Sequence, residues 1–125
     1  MKQEIEVDGV KYIREGTVKP TVTTFPKPKK GMEYCIVRTF SAGVFAGYWD
    51  RKVKGSEGII YNSRRIWYWD GAASLSQLAM EGTKKPVKCK FPCEVKETDL
   101  KNVIEVIPCT EKAKQSIKGV PVWEK

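Results

Sequence analysis

Residues 62–74, Asn-Ser-Arg-Arg-Ile-Trp-Tyr-Trp-Asp-Gly-Ala-Ala-Ser, hold the side chains best equipped for chemistry in this sequence. On an extended strand successive side chains alternate, which would put Arg65, Trp67 and Trp69 on one face and Arg64, Ile66 and Tyr68 on the other. A guanidinium beside indole rings can stack a purine and neutralise a phosphate, and the planar arginine fork pairs phosphate oxygens two at a time. Asn62 opens the segment and Ser74 closes it. Four small residues, Gly71 to Ser74, lead into an expected helix, where free amides and the helix dipole favour an anion. The competing reading places Trp67 and Trp69 in the core, the usual home of aromatic stripes on strands.

A second constellation is Arg38, Phe40, Ser41, Ala42, Gly43 and Phe45. Small residues at a hairpin tip let a ligand come close to the backbone, and Phe40 and Phe45 would flank that tip with aromatic surface. The cysteines make a weaker case. Cys89 and Cys93 have three residues between them, and Cys35 and Cys109 could complete four ligands for zinc. Structural zinc sites usually offer two close pairs, however, and only one is present, so no metal is expected and the thiols are read as free.

Much ordinary catalysis is excluded by composition. The 125 residues include no histidine, which removes Ser-His-Asp triads, Cys-His dyads, His-ligated zinc and imidazole proton shuttles. An enzyme would have to rely on acids such as Asp70 or Glu81 acting alone. The expectation is therefore a binding protein with neither catalytic residues nor a cofactor.

These residues need elements to position them. Ile5 to Ile13 alternates around Asp8-Gly9, a dipeptide suited to a tight hairpin turn. From Gly16 to Gly31 the chain is rich in Thr, Pro and Lys and reads as an extended arm, so residues 1–31 form a hairpin and arm and residues 32–125 the ligand-binding domain. In that domain strands are expected at 34–40, 44–49, 58–61 and 64–69, with turns at 41–43, 54–58 and 62–63. Ser74 and Gln77 form a capping box for a short helix ending at Gly82, and Thr110 caps a second that ends at Gly119. Two further strands, 91–95 and 103–107, complete the pattern, the second apolar on both sides and so expected at the sheet centre. The fold class is α+β: a mainly antiparallel meander of about six strands, two short helices and an N-terminal β-hairpin arm.

The charge of +8 is uneven. Residues 1–31 carry +3, residues 32–82 +1 and residues 83–125 +4, while three of the four tryptophans lie in the nearly neutral middle. A surface that coats a polyanion would mix its aromatics with a continuous basic stripe, so no DNA partner is expected. The longest uncharged stretch is eleven residues, 39–49, well short of the roughly 20 that cross a bilayer. The N-terminus lacks the apolar core of a secretory signal, which points to the cytosol and no membrane.

Three segments carry a resemblance: Tyr-Cys-Ile-Val-Arg-Thr-Phe-Ser-Ala-Gly-Val-Phe-Ala-Gly (34–47), Arg-Arg-Ile-Trp-Tyr-Trp-Asp-Gly-Ala-Ala-Ser-Leu-Ser-Gln-Leu-Ala (64–79) and Ile-Pro-Cys-Thr-Glu-Lys-Ala (107–113). They resemble the phage family called Thoeris anti-defence protein one, over residues 32–122. The resemblance implies a sponge in the bacterial host cytoplasm. Such proteins bind cyclic ADP-ribose isomers made by Thoeris TIR proteins and keep them intact, so that the effector is not activated. It further implies a homo-oligomer, a dimer or a hexamer built as a trimer of dimers, and a separate site for the cyclic di- or trinucleotides of CBASS. Arg38, the 41–43 tip, Arg64, Arg65, Trp67 and Trp69 fall on matching positions. A single-stranded nucleic-acid or host-protein binding module that uses the basic ends is the alternative.

Overall fold

The computed structural model describes residues 5–7, 10–12, 25, 26, 28 and 31–124. At the N-terminus, β1 (Ile5–Val7) and β2 (Val10–Tyr12) pair antiparallel with Val7 opposite Val10, as the hairpin requires. The expected Asp8-Gly9 turn and most of the 16–31 arm lie outside the described residues.

The domain is an α+β fold, a five-stranded antiparallel sheet with two helices. Its strands are β3 (Met32–Thr39), β4 (Val44–Asp50), β5 (Gly58–Arg65), β6 (Val95–Leu100) and β7 (Val103–Pro108), in the order β6-β5-β4-β3-β7. Strands β6 and β7 occupy opposite edges, yet only Lys101 and Asn102 separate them. A flat five-stranded sheet is about 19 Å across, and three Cα steps reach about 11 Å, so the sheet must roll up. Hydrogen bonds fasten the meeting corners: the Phe40 amide donates to the Asn102 carbonyl and the Val103 amide to the Ser56 carbonyl, both at 2.9 Å.

Rolling gives the sheet an inside and an outside, each with its own core. Alternation along β3 and β4 sends Cys35, Val37, Phe45 and Trp49 inward, where they meet Ile60 and Leu100. Tyr34, Ile36, Ala46 and Tyr48 face outward and pack beneath Leu78, Ala79, Phe91, Ile117 and Val120. That outer layer comes from α1 (Leu75–Glu81), α2 (Glu111–Lys118) and the segments beside them. The caps are those the sequence predicts. The Ser74 hydroxyl accepts from the Gln77 amide at 3.2 Å, and Thr110 accepts from the Ala113 amide at 3.0 Å.

Three strand expectations are corrected. Asn62 and Ser63 do not turn the chain; β5 runs through them as a bulge. The β4–β5 register shifts between Ala46 and Tyr48, and Asn62 takes a φ of 51°. Gly47 makes room for it, since a Cβ there would lie 2.6 Å from the Tyr61 carbonyl oxygen and 2.8 Å from Ile60 Cγ1. The expected strands at 58–61 and 64–69 thus become one strand ending at Arg65, and the sheet has five strands rather than six. The segment expected as a strand at 91–95 forms only an isolated bridge at Phe91, and β6 begins at Val95. Strand β7 is an edge rather than the centre. Its apolar residues occupy both faces because Val103 and Val106 pack on the inner core while Ile107 packs on the outer one.

Candidate functional site

The bulge decides which way the two arginines point. An extra residue in β5 shifts the alternation by one, so that Arg64 turns to the outer core and Arg65 to solvent. Arg64 is fully buried. Its Nε donates to the Pro92 carbonyl at 3.0 Å, Nη1 to those of Ile117 at 3.0 Å and Val120 at 2.7 Å, and Nη2 to that of Phe91 at 2.7 Å, with Pro121 at 3.5 Å. A guanidinium has five N–H groups, and all five point at carbonyls. This corrects the expectation of Arg64 as a ligand contact: it ties two loop segments together. Burial lowers its pKa, while nearby Tyr34 and Glu94 act in the opposite direction.

Arg65 lies open beside the hairpin tip. Its guanidinium sits 4.6 Å from the Phe45 ring centroid, and Nη1 donates to the Ala42 carbonyl at 3.3 Å. The tip is braced from within. The Thr39 hydroxyl accepts from the Ala42 amide and donates to the Gly43 carbonyl, both at 2.9 Å, and Gly43 supplies the φ of 102° that closes the turn. Phe40 projects from the tip with 78% of its surface exposed, beside exposed Ser41, Ala42 and Gly43. Phe45 is the correction here. It is buried in the inner core and offers no flanking surface. Arg38 is exposed and bound through Nε to Glu105 at 2.8 Å, a surface pair that a phosphate could displace at small cost.

The two tryptophans part company. Trp67 keeps 63% of its surface exposed, whereas Trp69 is half-buried against the outer core and donates its indole N–H to the Ala72 carbonyl at 3.1 Å. The shared face expected for them fails because the chain leaves the sheet after Arg65. Ser74 is spent on capping α1. Asn62 is buried, and its amide donates to the Phe25 and Pro26 carbonyls at 3.1 Å, so it anchors the segment before the domain instead of meeting a ligand. The Phe25 amide also donates to buried Glu94 at 2.7 Å. A groove of about 580 Å³ lies there, lined by Phe25, Pro26, Met32, Tyr61 and Lys96 among others, and of the expected ligand residues Asn62 alone borders it.

Two residues that the sequence reading overlooked complete the exposed surface beyond Arg65. The Trp123 ring lies parallel to that of Trp67, 6° between planes and 6.5 Å between centroids. The Lys90 ammonium sits 5.6 Å from the Trp123 centroid and 5.7 Å from that of Tyr68. Positions 67, 90 and 123 are far apart in sequence. No local pattern could have joined them.

The cysteines do not converge. All four are free, with Cys35 and Cys89 buried and Cys93 exposed. Among the described residues no group of three or more His, Cys, Asp or Glu could hold a metal ion, and no helix is long and apolar enough to cross a membrane. Burial pushes the Cys35 thiol up to about 11 and that of Cys109 up to about 12, which keeps both protonated and inert near neutrality.

A family model described as a domain of unknown function, DUF6948, matches residues 32–117. The chain belongs to this family. Its match begins with β3 and ends within α2, so the DUF6948 unit includes the rolled sheet, the hairpin tip and Arg64 to Trp67, while Trp123 lies past its end. No curated protein and no solved structure matches the chain.

Proposed function

We propose that this DUF6948 protein is a sponge: it binds a cyclic ADP-ribose isomer and holds it intact, keeping the signal of a Thoeris TIR protein from its effector in the bacterial host cytoplasm. The observation that carries the reading is the pair Arg65 and Trp67, two residues apart and both exposed where β5 ends. One offers a guanidinium for a pyrophosphate and the other an indole for a purine. The 41–43 tip adjoins Arg65 on one side through the Ala42 carbonyl. Arg38, once released from Glu105, would add a second cation.

Sequestration calls for tight binding and no chemistry on the ligand. A nanomolar dissociation constant corresponds to about 12 kcal/mol and demands near-complete enclosure. Arg65 and Trp67 lie on an open surface of one chain, so the proposal includes a homo-oligomer, a dimer or a trimer of dimers, in which a second copy covers the ligand. In its wider form it adds a separate site for the cyclic di- or trinucleotides of CBASS.

Calorimetry with cyclic ADP-ribose isomers tests the reading, followed by denaturation and chromatography of the released ligand. Tight binding with unchanged ligand is expected. Absence of heat with every isomer, or recovery of cleaved ligand, would defeat it. A second reading is favoured by exposed Lys90 against Tyr68 and Trp123: a module for single-stranded nucleic acid. It predicts oligonucleotide affinity that falls steeply with salt.

A further inference from the structure

Three segments meet outside the five-stranded sheet. Tyr68 and Lys90 form an antiparallel bridge, the Lys90 amide donating to the Tyr68 carbonyl at 2.8 Å. Phe91 and Val122 form a parallel bridge, with the Trp123 amide donating to the Phe91 carbonyl at 3.0 Å. This small ribbon carries Trp67, Lys90, Tyr68 and Trp123, and buried Arg64 is bonded to the carbonyls of Phe91, Pro92, Val120 and Pro121 on two of its segments. The most exposed tryptophan side chain described is therefore mounted on a hydrogen-bonded frame with a charged tie beneath it.

Such an arrangement is an offset stack that still leaves a receptor surface, with 63% of Trp67 exposed. Direct face-to-face contact brings aromatic planes to about 3.5 Å, so parallel indoles with centroids 6.5 Å apart are stepped or spaced and leave π surface uncovered. A flat ring fits against that surface. The Lys90 ammonium, 5.6 Å from the Trp123 centroid, stands where a phosphate attached to such a ring would find a cation. Arg65 lies two residues from Trp67 toward the hairpin tip, and so marks the direction in which the rest of the ligand extends.

We infer that the purine ring of the ligand stacks on the Trp67–Trp123 pair, that Lys90 meets the phosphate nearest to it, and that Arg64 is the positioning residue that holds the frame. The inference rests on the sponge reading above. It also adds something to the family unit, because Trp123 lies beyond the matched 32–117 region.

The test titrates the full chain with a cyclic ADP-ribose isomer, following both heat and tryptophan emission. Wild-type protein should bind with emission quenched by the stacked base. Trp67→Leu and Trp123→Leu should each weaken affinity by about five-fold to 150-fold, since one base–aromatic stack accounts for about 1–3 kcal/mol. Trp67 is exposed, so its replacement leaves the fold intact. Should Trp123→Leu fail to fold, Trp123→Phe serves instead, keeping the quench with a smaller loss of affinity. Wild-type binding that is unchanged in Trp67→Leu and shows no quench would overturn the stacking assignment while leaving the sponge reading in place. A wild-type protein that binds no isomer would overturn both.

Discussion

Replacing Arg64 should reveal what the residue does. Four of its hydrogen bonds, to the carbonyls of Phe91, Pro92, Ile117 and Val120, measure 2.7 to 3.0 Å. Removing a buried partner leaves a carbonyl that has no other donor to bear a desolvation cost of about 1–3 kcal/mol. Phe91 and Ile117 keep backbone donors in the Trp123 and Val120 amides, so the sum for Arg64→Met runs over the Pro92 and Val120 carbonyls, about 2–6 kcal/mol, and relief from burying the charge offsets part of it. A loss of that order is a large share of the roughly 5–15 kcal/mol that holds a domain together. Arg64→Lys keeps the charge but has only three N–H donors, so at least one short bond is lost, at about 1–3 kcal/mol.

Urea unfolding of the three proteins should therefore rank wild type above Arg64→Lys above Arg64→Met. Hydrogen exchange then locates the damage. The Lys90 and Trp123 amides, which bond to Tyr68 and Phe91, should lose protection in Arg64→Lys before the β3–β4 ladder does. The readout that separates positioning from mere stability is tryptophan emission: the Trp67–Trp123 environment should change at urea concentrations where the far-UV signal is still native. An Arg64→Met protein within about 1 kcal/mol of wild type, or exchange that rises equally everywhere, would refute the argument.

Other expectations follow from the same contacts. Gly47→Ala should cost about 2 kcal/mol or more in urea melts, because its Cβ would press on the Tyr61 carbonyl, whereas Gly43→Ala meets open space and bears only the cost of its φ of 102°, about 1 kcal/mol. In the folded protein a maleimide should label exposed Cys93 well before Cys35, as mapped by mass spectrometry; equal rates would contradict the burial. The buried thiols also set an alkaline limit. Their folded pKa values, about 11 for Cys35 and about 12 for Cys109, lie above the ordinary 9.0, so the folded state keeps protons that the unfolded chain releases. Stability is then full below pH 9 and falls above it by about 1.4 kcal/mol per pH unit and thiol, until each folded value is passed. Asn62→Ala should loosen the bonds to Phe25 and Pro26 and speed proteolysis near residue 25; an unchanged cleavage rate would show that Glu94 alone holds that segment.

What could be read from the sequence was what local chemistry decides. Both helices were legible because Ser74, Thr110, Gly82 and Gly119 mark their ends within a few residues. The 41–43 tip was legible because Gly43 suits a positive φ. The bulge was not, since Asn62-Ser63 serves a turn as readily as a left-handed bulge residue; the difference is made by Gly47 on the neighbouring strand. Strand β7 was misplaced because two apolar faces ordinarily mean a central strand, and a rolled sheet buries both faces of an edge. The Lys90 and Trp123 partners of Trp67 depend on two isolated bridges formed across the chain, which leave no periodic trace.

The bulge also explains how two adjacent arginines take opposite roles. Without the extra residue at 62–63, the inward phase set by Ile60 would continue through even positions. Arg64 would then enter the inner core, among Val37, Phe45 and Leu100, with no carbonyls to receive its five donors. One left-handed asparagine moves it to the outer layer, where the C-terminal end of α2 and the 91–92 segment present carbonyls that accept its donors, and in the same step sets Arg65 beside Phe45 at the hairpin tip. The exposed Arg65 on which binding is proposed and the buried tie next to it are thus two products of one backbone irregularity. Gly47 is what permits that irregularity, so a residue touching neither ligand nor guanidinium stands behind both.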